Sequence, residues 1–358
     1  MRHSRFLSSL VCLCLLSCAT YDECEFLNFE IANVPDIKTD GVLDIYSVGE
    51  KEESLYECKI FDKYICSLHS DTEFMLSLSD METGELAGQY FKRGRSGNEL
   101  ISSMPISEIL RERAGYSAYL FSPVERKLMK WNISSSLETG TTVYSDIVEL
   151  GSRRKGILPL MAIYEMTGER VIAYNTGQIG EWYETPAYEI YDMTTSELVE
   201  KLTLFNKVEI DTDDERYSSR IFLSLKDCIH PDRSKLAFGM YYMPVINIID
   251  LSDNTCKGFR INGRPRFTPN EKICHFVDMT ADENHIYALY CGERLKHNED
   301  FPKYLYVFDW NGSIEYKYEL PFRVTGLELS NDKLYFLDYF TNTLHYKELS
   351  DMVISTHR

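Results

Sequence analysis

Short hydrophobic stretches separated by polar turn residues run through the whole chain. Residues 55–93 contain four of them, with Asp62, Asp71, Asp80 and Gly84 standing between the stretches. The stretches are rich in aromatic and branched residues, which favour β-strands. This pattern predicts one antiparallel sheet of four strands, at residues 55–60, 64–68, 74–78 and 85–91.

The second and most hydrophobic strand of this sheet recurs along the chain. It has six copies, at residues 64–68, 117–121, 170–174, 235–240, 285–290 and 333–337. In five copies the strand that follows ends on a polar turn residue, namely Asp80, Asn132, Asp192, Asp250 and Asp309. These residues are 52, 60, 58 and 59 positions apart, which is the size of a propeller repeat. The sequence therefore predicts an all-β protein, a six-bladed β-propeller of four-stranded antiparallel blades.

Closure of this ring requires a strand from the other end of the chain. The sixth copy is followed by few residues, so its outermost strand is missing. We expect the N-terminus to supply it, from residues 26–32 or 42–48, because pairing the two ends leaves no open edge. No long helical pattern or linker interrupts the repeats, which predicts one domain at residues 26–358.

The first residues have the features of an export signal. Arg2 and Arg5 precede an apolar run at residues 6–16, which is too short to span a bilayer. The sequence Leu-Leu-Ser before Cys18 resembles the lipobox of bacterial lipoproteins, in which the cysteine becomes the lipidated first residue. An ordinary signal peptide or a buried helix is the alternative interpretation.

The lipobox divides the N-terminal region into a signal peptide at residues 1–17 and a lipid anchor with a short linker at 18–25. Acidic residues in this linker resemble the surface-export signals of Bacteroidota lipoproteins. We therefore expect an outer membrane lipoprotein, on the periplasmic side or at the cell surface, whose membrane contact is the lipid.

A basic segment after the first sheet carries a family resemblance. Residues 92–100 read Lys-Arg-Gly-Arg-Ser-Gly-Asn-Glu-Leu. They resemble the Gly-Arg-Gly-Pro-Asn/Gly-Glu-Phe segment of the TolB-like six-bladed propeller lipoproteins of Bacteroidota, but Ser96 and Gly97 stand where that family usually has Gly and Pro. The resemblance implies a propeller and a location in the cell envelope, and it implies no activity.

Charge and cysteine content narrow the possible partners and cross-links. The net charge of −18 argues against nucleic acid and against anionic lipid surfaces as partners. Seven cysteines follow Cys18, an odd number that cannot all pair within one chain. Cys58 and Cys66 lie at equal distances from Asp62, so they either face each other and form a disulfide or remain two buried thiols.

The loops between blades are rich in arginine. Strands alternate in direction, so these loops emerge on one face, and they hold nine of the seventeen arginines after Cys18. Arginine binds carboxylate or sulfate through two parallel hydrogen bonds. The arginines either bind an anionic ligand, such as an acidic glycan or a peptide carboxylate, or tie each blade to the next. Candidate binding residues are Arg93, Arg95, Asn98, Glu99, Arg153, Arg216, Arg264, Arg266 and Arg323, with Trp182 and Tyr183 for stacking on a sugar.

Three functions fit this sequence, and fold alone does not choose among them. No nucleophile elbow, zinc, phosphate-loop or haem motif is present, and we assign no catalytic residue. We favour a non-catalytic envelope lipoprotein that binds a glycan or an envelope protein with its loop face. The second hypothesis is a Ca²⁺-dependent lactonase or sugar hydrolase, which requires acidic and amide side chains that meet on the axis. The third is a purely structural component. No cofactor is predicted, and Ca²⁺ is left open as a ligand.

Overall fold

A computed structural model gives the fold of the protein. It describes residues 23–52, 54–70, 72–96, 99–151, 156–179, 182–206, 224–264, 266–267, 273–294 and 302–354. The predicted lipidation residue Cys18 and the predicted signal peptide lie outside these ranges. No helix in the described part of the chain is long and apolar enough to cross a membrane.

The described residues form six small antiparallel sheets in a ring, which confirms the six-bladed propeller. Three N-terminal elements come first: α1 (Glu23–Phe26), β1 (Glu30–Val34) and β2 (Tyr46–Glu50). Blade 1 contains β3 (Cys58–Phe61), β4 (Tyr64–Leu68), β5 (Phe74–Asp80) and β6 (Leu86–Lys92). Blade 2 contains β7 (Leu110–Glu112), β8 (Gly115–Ser122), β9 (Lys127–Asn132), α2 (Ile133–Thr139) and β10 (Tyr144–Glu149).

The other four blades repeat the same order. Blade 3 contains β11 (Leu160–Met166), β12 (Arg170–Asn175), a small hairpin of β13 (Gln178–Ile179) and β14 (Trp182–Tyr183), β15 (Ala187–Asp192) and β16 (Leu198–Leu202). Blade 4 contains β17 (Leu225–Ile229), β18 (Lys235–Met240), β19 (Val245–Asp250) and β20 (Thr255–Ile261). Blade 5 contains β21 (Ile273–Ala281), β22 (His285–Arg294), β23 (Tyr304–Asp309) and β24 (Ile314–Glu319). Blade 6 contains β25 (Gly326–Ser330), β26 (Lys333–Asp338) and β27 (Thr343–Glu348), followed by α3 (Leu349–Ile354).

The polar residue after each third strand closes the next turn. In Asp80, Asp192, Asp250 and Asp309 a carboxylate oxygen accepts a hydrogen bond from a backbone N–H two to four residues further on, at 2.8–3.0 Å. The bond from Thr83 N–H lowers the pKa of Asp80 to about 2. In blade 2 the Asn132 side chain instead caps α2 by accepting from Ser135 N–H. The recurring residue is thus a local turn and capping device.

The second and third strands are hydrophobic throughout because both of their faces are covered. In β18, for example, every residue from Leu236 to Met240 is buried, and β19 is buried from Val245 to Ile249. The buried residues form six hydrophobic clusters, one at each joint between neighbouring blades. The core of this protein is therefore a ring of six interfaces around a central channel.

An N-terminal belt, residues 23–50, closes the ring. Its strand β2 pairs antiparallel with β27 as the outermost strand of blade 6, which confirms that the N-terminus supplies the missing strand. The other candidate region supplies β1, which pairs parallel with β20 as a fifth strand of blade 4. Between them, Asp40 N–H and Leu43 N–H donate to the blade 5 carbonyls of Lys317 and Glu319.

Cys58 and Cys66 do not face each other, and they form no disulfide. Phe61 lies opposite Tyr64, so the turn contains only Asp62 and Lys63 and is centred half a residue beyond Asp62. This places Cys58 opposite Ser67 and Lys59 opposite Cys66. Both cysteines are buried free thiols, which is the alternative that the sequence left open.

Asp36 is the main polar attachment of the belt. Its carboxylate accepts hydrogen bonds from the Arg264 guanidinium of the blade 4 to 5 loop at 2.8 Å, and from Tyr306 Oη at 2.8 Å and Lys317 Nζ at 3.1 Å in blade 5. Arg264 also lies over the Tyr290 ring, 5.1 Å from its centroid.

We expect Asp36→Asn to lower the free energy of unfolding by about 2–3 kcal/mol, because it removes the charge shared by two partly buried cations. Chemical denaturation followed by circular dichroism measures this change. Asp44→Asn is the matched control, since Asp44 is an exposed belt residue. Equal stability of the two variants would mean that Asp36 does not hold the belt.

Candidate binding site at the central channel

The first strands of the blades surround a channel with two chambers. The larger chamber, about 830 Å³, opens on the face of the turns between first and second strands, including Pro231, Asn284 and Asn331. The smaller one, about 300 Å³, opens on the face of the loops between blades. The chambers meet at a waist, whose residues line both: Lys59, Ser107, Tyr164, Asp227, Met279 and Glu328.

An ion pair narrows the waist. Lys59 Nζ lies 2.6 Å from Glu328 Oε1, and the two side chains are only 24% and 14% exposed. Burial raises the pKa of Glu328 to about 7, although the Lys59 ammonium opposes this shift. The charge of Glu328 therefore depends on Lys59 and on pH near neutrality.

The other carboxylates near the waist are also held by neighbours. Asp227 accepts hydrogen bonds from Tyr164 Oη at 2.9 Å and Tyr188 Oη at 2.8 Å, and burial raises its pKa. Glu108 accepts two bonds of 2.7 Å from Arg233 Nη1, and burial raises the pKa of this carboxyl as well. The waist is thus a set of internally paired groups contributed by different blades.

Exposed aromatic and apolar side chains surround the opening of the smaller chamber, which we call the mouth. Tyr56 and Tyr339 line it with 54% and 36% exposure, and their rings meet edge to face with centroids 5.4 Å apart. Phe340 stands beside Tyr339, with centroids 4.4 Å apart. Met161 from blade 3, 48% exposed, lines the same chamber from another side.

Two polar side chains below the mouth have capacity for further hydrogen bonds. Lys226 is exposed, lines the smaller chamber and forms no salt bridge with any residue that the structure describes. Asp278 accepts a bond from Leu327 N–H at 2.8 Å with one carboxylate oxygen. A carboxylate has about four acceptor positions and an ammonium three donors, so both groups can also bind a ligand.

Three of the arginines predicted to form a binding ring are bound to protein groups. Arg93 donates to the backbone carbonyls of His69, Thr72 and Ile101. Arg264 holds Asp36, as described above, and Arg323 Nε donates to Asp338 at 2.6 Å. Arg323 also lies 4.9 Å from the centre of the Phe340 ring, at the edge of the mouth.

The segment that carries the family resemblance is a compact connection between blades 1 and 2. The Glu99 carboxylate accepts a hydrogen bond from Ser96 N–H at 2.9 Å, which lowers its pKa. A Cβ at Gly94 would lie 1.9 Å from a Glu99 oxygen, so only glycine allows the carboxylate to fold over the backbone. Arg95 of this segment is exposed.

The remaining predicted site residues are placed only in part. Arg266 is exposed. Trp182 and Tyr183 form β14, but their side chains lie outside the described part of the structure. Asn98, Arg153 and Arg216 also lie outside the described residues. Among the residues that are described, no three His, Cys, Asp or Glu side chains are placed to hold one metal ion.

Sequence reasoning missed the residues of the mouth and the waist. A usable signal was present, because Lys59, Asp278 and Glu328 are charged residues flanked by apolar ones in the first strand of a repeat. Asp227 forms a charged pair with Lys226 between Leu225 and Cys228. Such a strand is covered by neighbouring blades, so a charge at that position must reach the channel or a partner. Tyr56 and Tyr339 lie in loops and carry no comparable signal.

We expect Arg93→Ala to lower the free energy of unfolding by about 1–3 kcal/mol, because three backbone carbonyls lose their donor. Arg95→Ala is the matched control and should change it by less than about 0.5 kcal/mol. Denaturant titration measures both. A larger loss for Arg95→Ala than for Arg93→Ala would contradict the assignment of Arg93 as a structural residue of the connection after blade 1.

The buried Glu328 carboxyl at the waist leads us to expect that the free energy of unfolding depends on pH. A carboxyl whose pKa is raised in the folded state stabilises the fold most at low pH, and that stability is lost as pH rises through about 7. Lys59→Met removes the opposing cation, so the pKa of Glu328 should rise further. Between pH 5 and 8 this variant should lose about 1 kcal/mol more stability than the wild type if the added shift is one unit.

Adding Glu328→Gln to Lys59→Met is the control for this prediction. The double variant lacks the Glu328 carboxyl, so its pH dependence should fall below that of the single variant. Thermal unfolding at several pH values measures all three proteins. Parallel curves for the wild type and Lys59→Met would contradict the coupling between the two side chains.

Comparison with known proteins bears on the fold. No family model and no curated protein matches the chain. A crystal structure of a DUF4221 family member from Bacteroides vulgatus has a TM-score of 0.58 at 10% identity, covering 85% of this chain and 96% of that one. Hydrazine synthase of Kuenenia stuttgartiensis has a TM-score of 0.47 at 11% identity, covering 80% of each chain. These similarities concern the fold alone, and kinship with TolB-like lipoproteins stays a prediction.

Proposed function

We propose that this protein is a non-catalytic binding lipoprotein of the cell envelope that takes its ligand at the mouth of the channel. The observation that carries the proposal is the mouth itself, a concave site where exposed aromatic rings surround polar groups with unused hydrogen-bonding capacity. Apolar walls with a few convergent polar groups are typical of ligand sites.

The contacts of the arginines favour the mouth over an arginine ring as the main site. Arg93 and Arg264 already bind carbonyl or carboxylate oxygens of the protein, so an anion would have to compete with these bonds. Arg323 pairs with Asp338, and its guanidinium supports Phe340 at the mouth. In this proposal Arg323 holds the loop that presents Tyr339 and Phe340.

The contacts of the carboxylates favour binding over Ca²⁺-dependent catalysis. Glu328 is paired with Lys59, Glu108 with Arg233, and Asp227 with two tyrosine hydroxyl groups. A Ca²⁺ site needs six to eight oxygen ligands that converge on one point. Here the oxygen atoms already bind cations and donors of the protein.

The position of the N-terminal helix supports an orientation toward the membrane. Phe26 of α1 packs against Phe267, and Glu23 bonds to Arg260, both on the face of the loops between blades. Only residues 19–22 lie between Cys18 and Glu23. Five steps along the chain span at most about 17 Å. A lipid on Cys18 would therefore hold this face, with the mouth, close to the membrane surface.

Tyr339→Ala is expected to weaken ligand binding by about tenfold, because it removes one face of the aromatic site. Arrays of glycans and peptides, probed with the purified protein, identify ligands without prior choice of class. Tyr46→Ala is the matched control, since Tyr46 is 47% exposed but lies on the outermost strand of blade 6. A ligand bound equally by Tyr339→Ala and the wild type would rule out the mouth.

Attachment to the membrane has a separate test. Cys18→Ala should abolish incorporation of labelled palmitate and release the protein from the membrane fraction, because the thiol is the acceptor of the lipid. Labelling that persists in this variant would contradict the lipoprotein assignment.

A further inference from the structure

The aromatic side chains at the mouth are arranged to cover a flat ligand. Tyr56 and Tyr339 meet at an interplanar angle of 78°, so they form a corner instead of stacking on each other. Roughly half of the Tyr56 side chain and a third of Tyr339 remain in contact with solvent. A sugar ring presents an apolar C–H face of the size of one such ring, and it can lie against either wall of the corner.

The polar groups below the rings suit hydroxyl groups. Lys226 has ammonium donors with no salt bridge to the described residues, and Asp278 has acceptor positions beyond its bond to Leu327 N–H. A hydroxyl both donates and accepts, so neighbouring hydroxyl groups of one sugar can bind both side chains. An apolar peptide side chain would leave both groups desolvated without partners, which is unfavourable.

The charges of the chamber argue for a neutral ligand. Lys59 and Glu328 neutralise each other, while Lys226 stands near Asp227 and Glu328, which it influences electrostatically. Asp278 and Glu57 add negative charge to the same chamber. An anionic sugar would gain from Lys226 but meet these carboxylates, and the net charge of −18 repels it at a distance.

The depth of the chamber limits how the ligand enters. Its volume of about 300 Å³ is at the lower end for ligand pockets, and the Lys59–Glu328 pair narrows its inner end at the waist. A chain that must pass across the site would need a groove that is wide at both ends. A chamber that narrows at its inner end instead admits the terminal residue of a chain.

We propose that the mouth binds the terminal sugar of a neutral glycan, with its ring against Tyr56 and Tyr339 and its hydroxyl groups between Lys226 and Asp278. This inference rests on the proposed function of the mouth as the ligand site and names the class of ligand. It replaces the acidic glycan expected from the arginine pattern with a neutral one.

The test uses the purified protein on an array that combines three kinds of probe. These are neutral oligosaccharides that share internal linkages but differ in the terminal sugar, oligosaccharides ending in a uronic acid, and peptides. Ligands found on the array are then titrated by calorimetry against the wild type, Tyr339→Ala and Lys226→Met. Lys63→Met is the matched control, because Lys63 is an exposed lysine in the turn between β3 and β4, on the opposite face.

We expect the protein to distinguish oligosaccharides by their neutral terminal sugar and to bind them regardless of their internal linkages. Tyr339→Ala and Lys226→Met should each weaken this binding by about tenfold or more, and Lys63→Met should leave it unchanged. Binding confined to uronic acid termini, or sorted by internal linkages, would overturn the inference. Peptide binding that Tyr339→Ala abolishes would overturn it while leaving the mouth as the ligand site. No binding to any probe would count against both proposals.

Discussion

Hydrophobic packing between the faces of neighbouring blades is the interaction on which the rest of this structure depends. A single four-stranded sheet of this size has two apolar faces and cannot bury either by itself. Each of the six clusters joins residues of two blades, as Trp131 of blade 2 does with Tyr90 and Phe91 of blade 1. Every blade is therefore stable only with a neighbour on each side, and the ring must close.

The N-terminal belt is the consequence of that requirement. The last blade has three strands of its own, and β2 completes it with a register from Tyr46 opposite Tyr346 to Glu50 opposite Thr343. On its way the belt adds β1 to blade 4 and hydrogen bonds to blade 5. The outer edges of three blades are therefore covered by this one segment. Ion pairs of Asp36 hold the segment in place.

The channel follows from the same geometry. A ring of six sheets brings their first strands together around one axis, so side chains from distant parts of the sequence meet there. Lys59 and Glu328 are 269 residues apart along the chain and 2.6 Å apart in the fold. Charges in such a place must be paired, because the neighbouring blades remove most of their water. The pairs narrow the waist between the two chambers, and the exposed rings of Tyr56 and Tyr339 line the smaller one.

Local patterns in the sequence determined the repeating unit of this protein. The hydrophobic strands and the polar residues after them, such as Asp80 and Asp250, predicted the number of blades, because strand and turn formation depends on neighbouring residues. The origin of the closing strand was predicted as well, since an incomplete last repeat requires one. The register between β3 and β4, which decides the residue opposite Cys58, was not predicted, because it depends on the length of a single turn.

Only the tertiary structure decided where the proposed binding site lies. Tyr56 and Tyr339 come from opposite ends of the chain, and no spacing rule relates them until the ring closes. Arg93 and Arg264 form a pattern in the sequence, but their partners are a set of backbone carbonyls and a belt carboxylate that the pattern does not contain. The hydrophobic pattern of a strand shows which of its faces are buried. A site on the channel axis depends instead on which strands lie next to each other in the folded ring. That arrangement is a property of the closed ring.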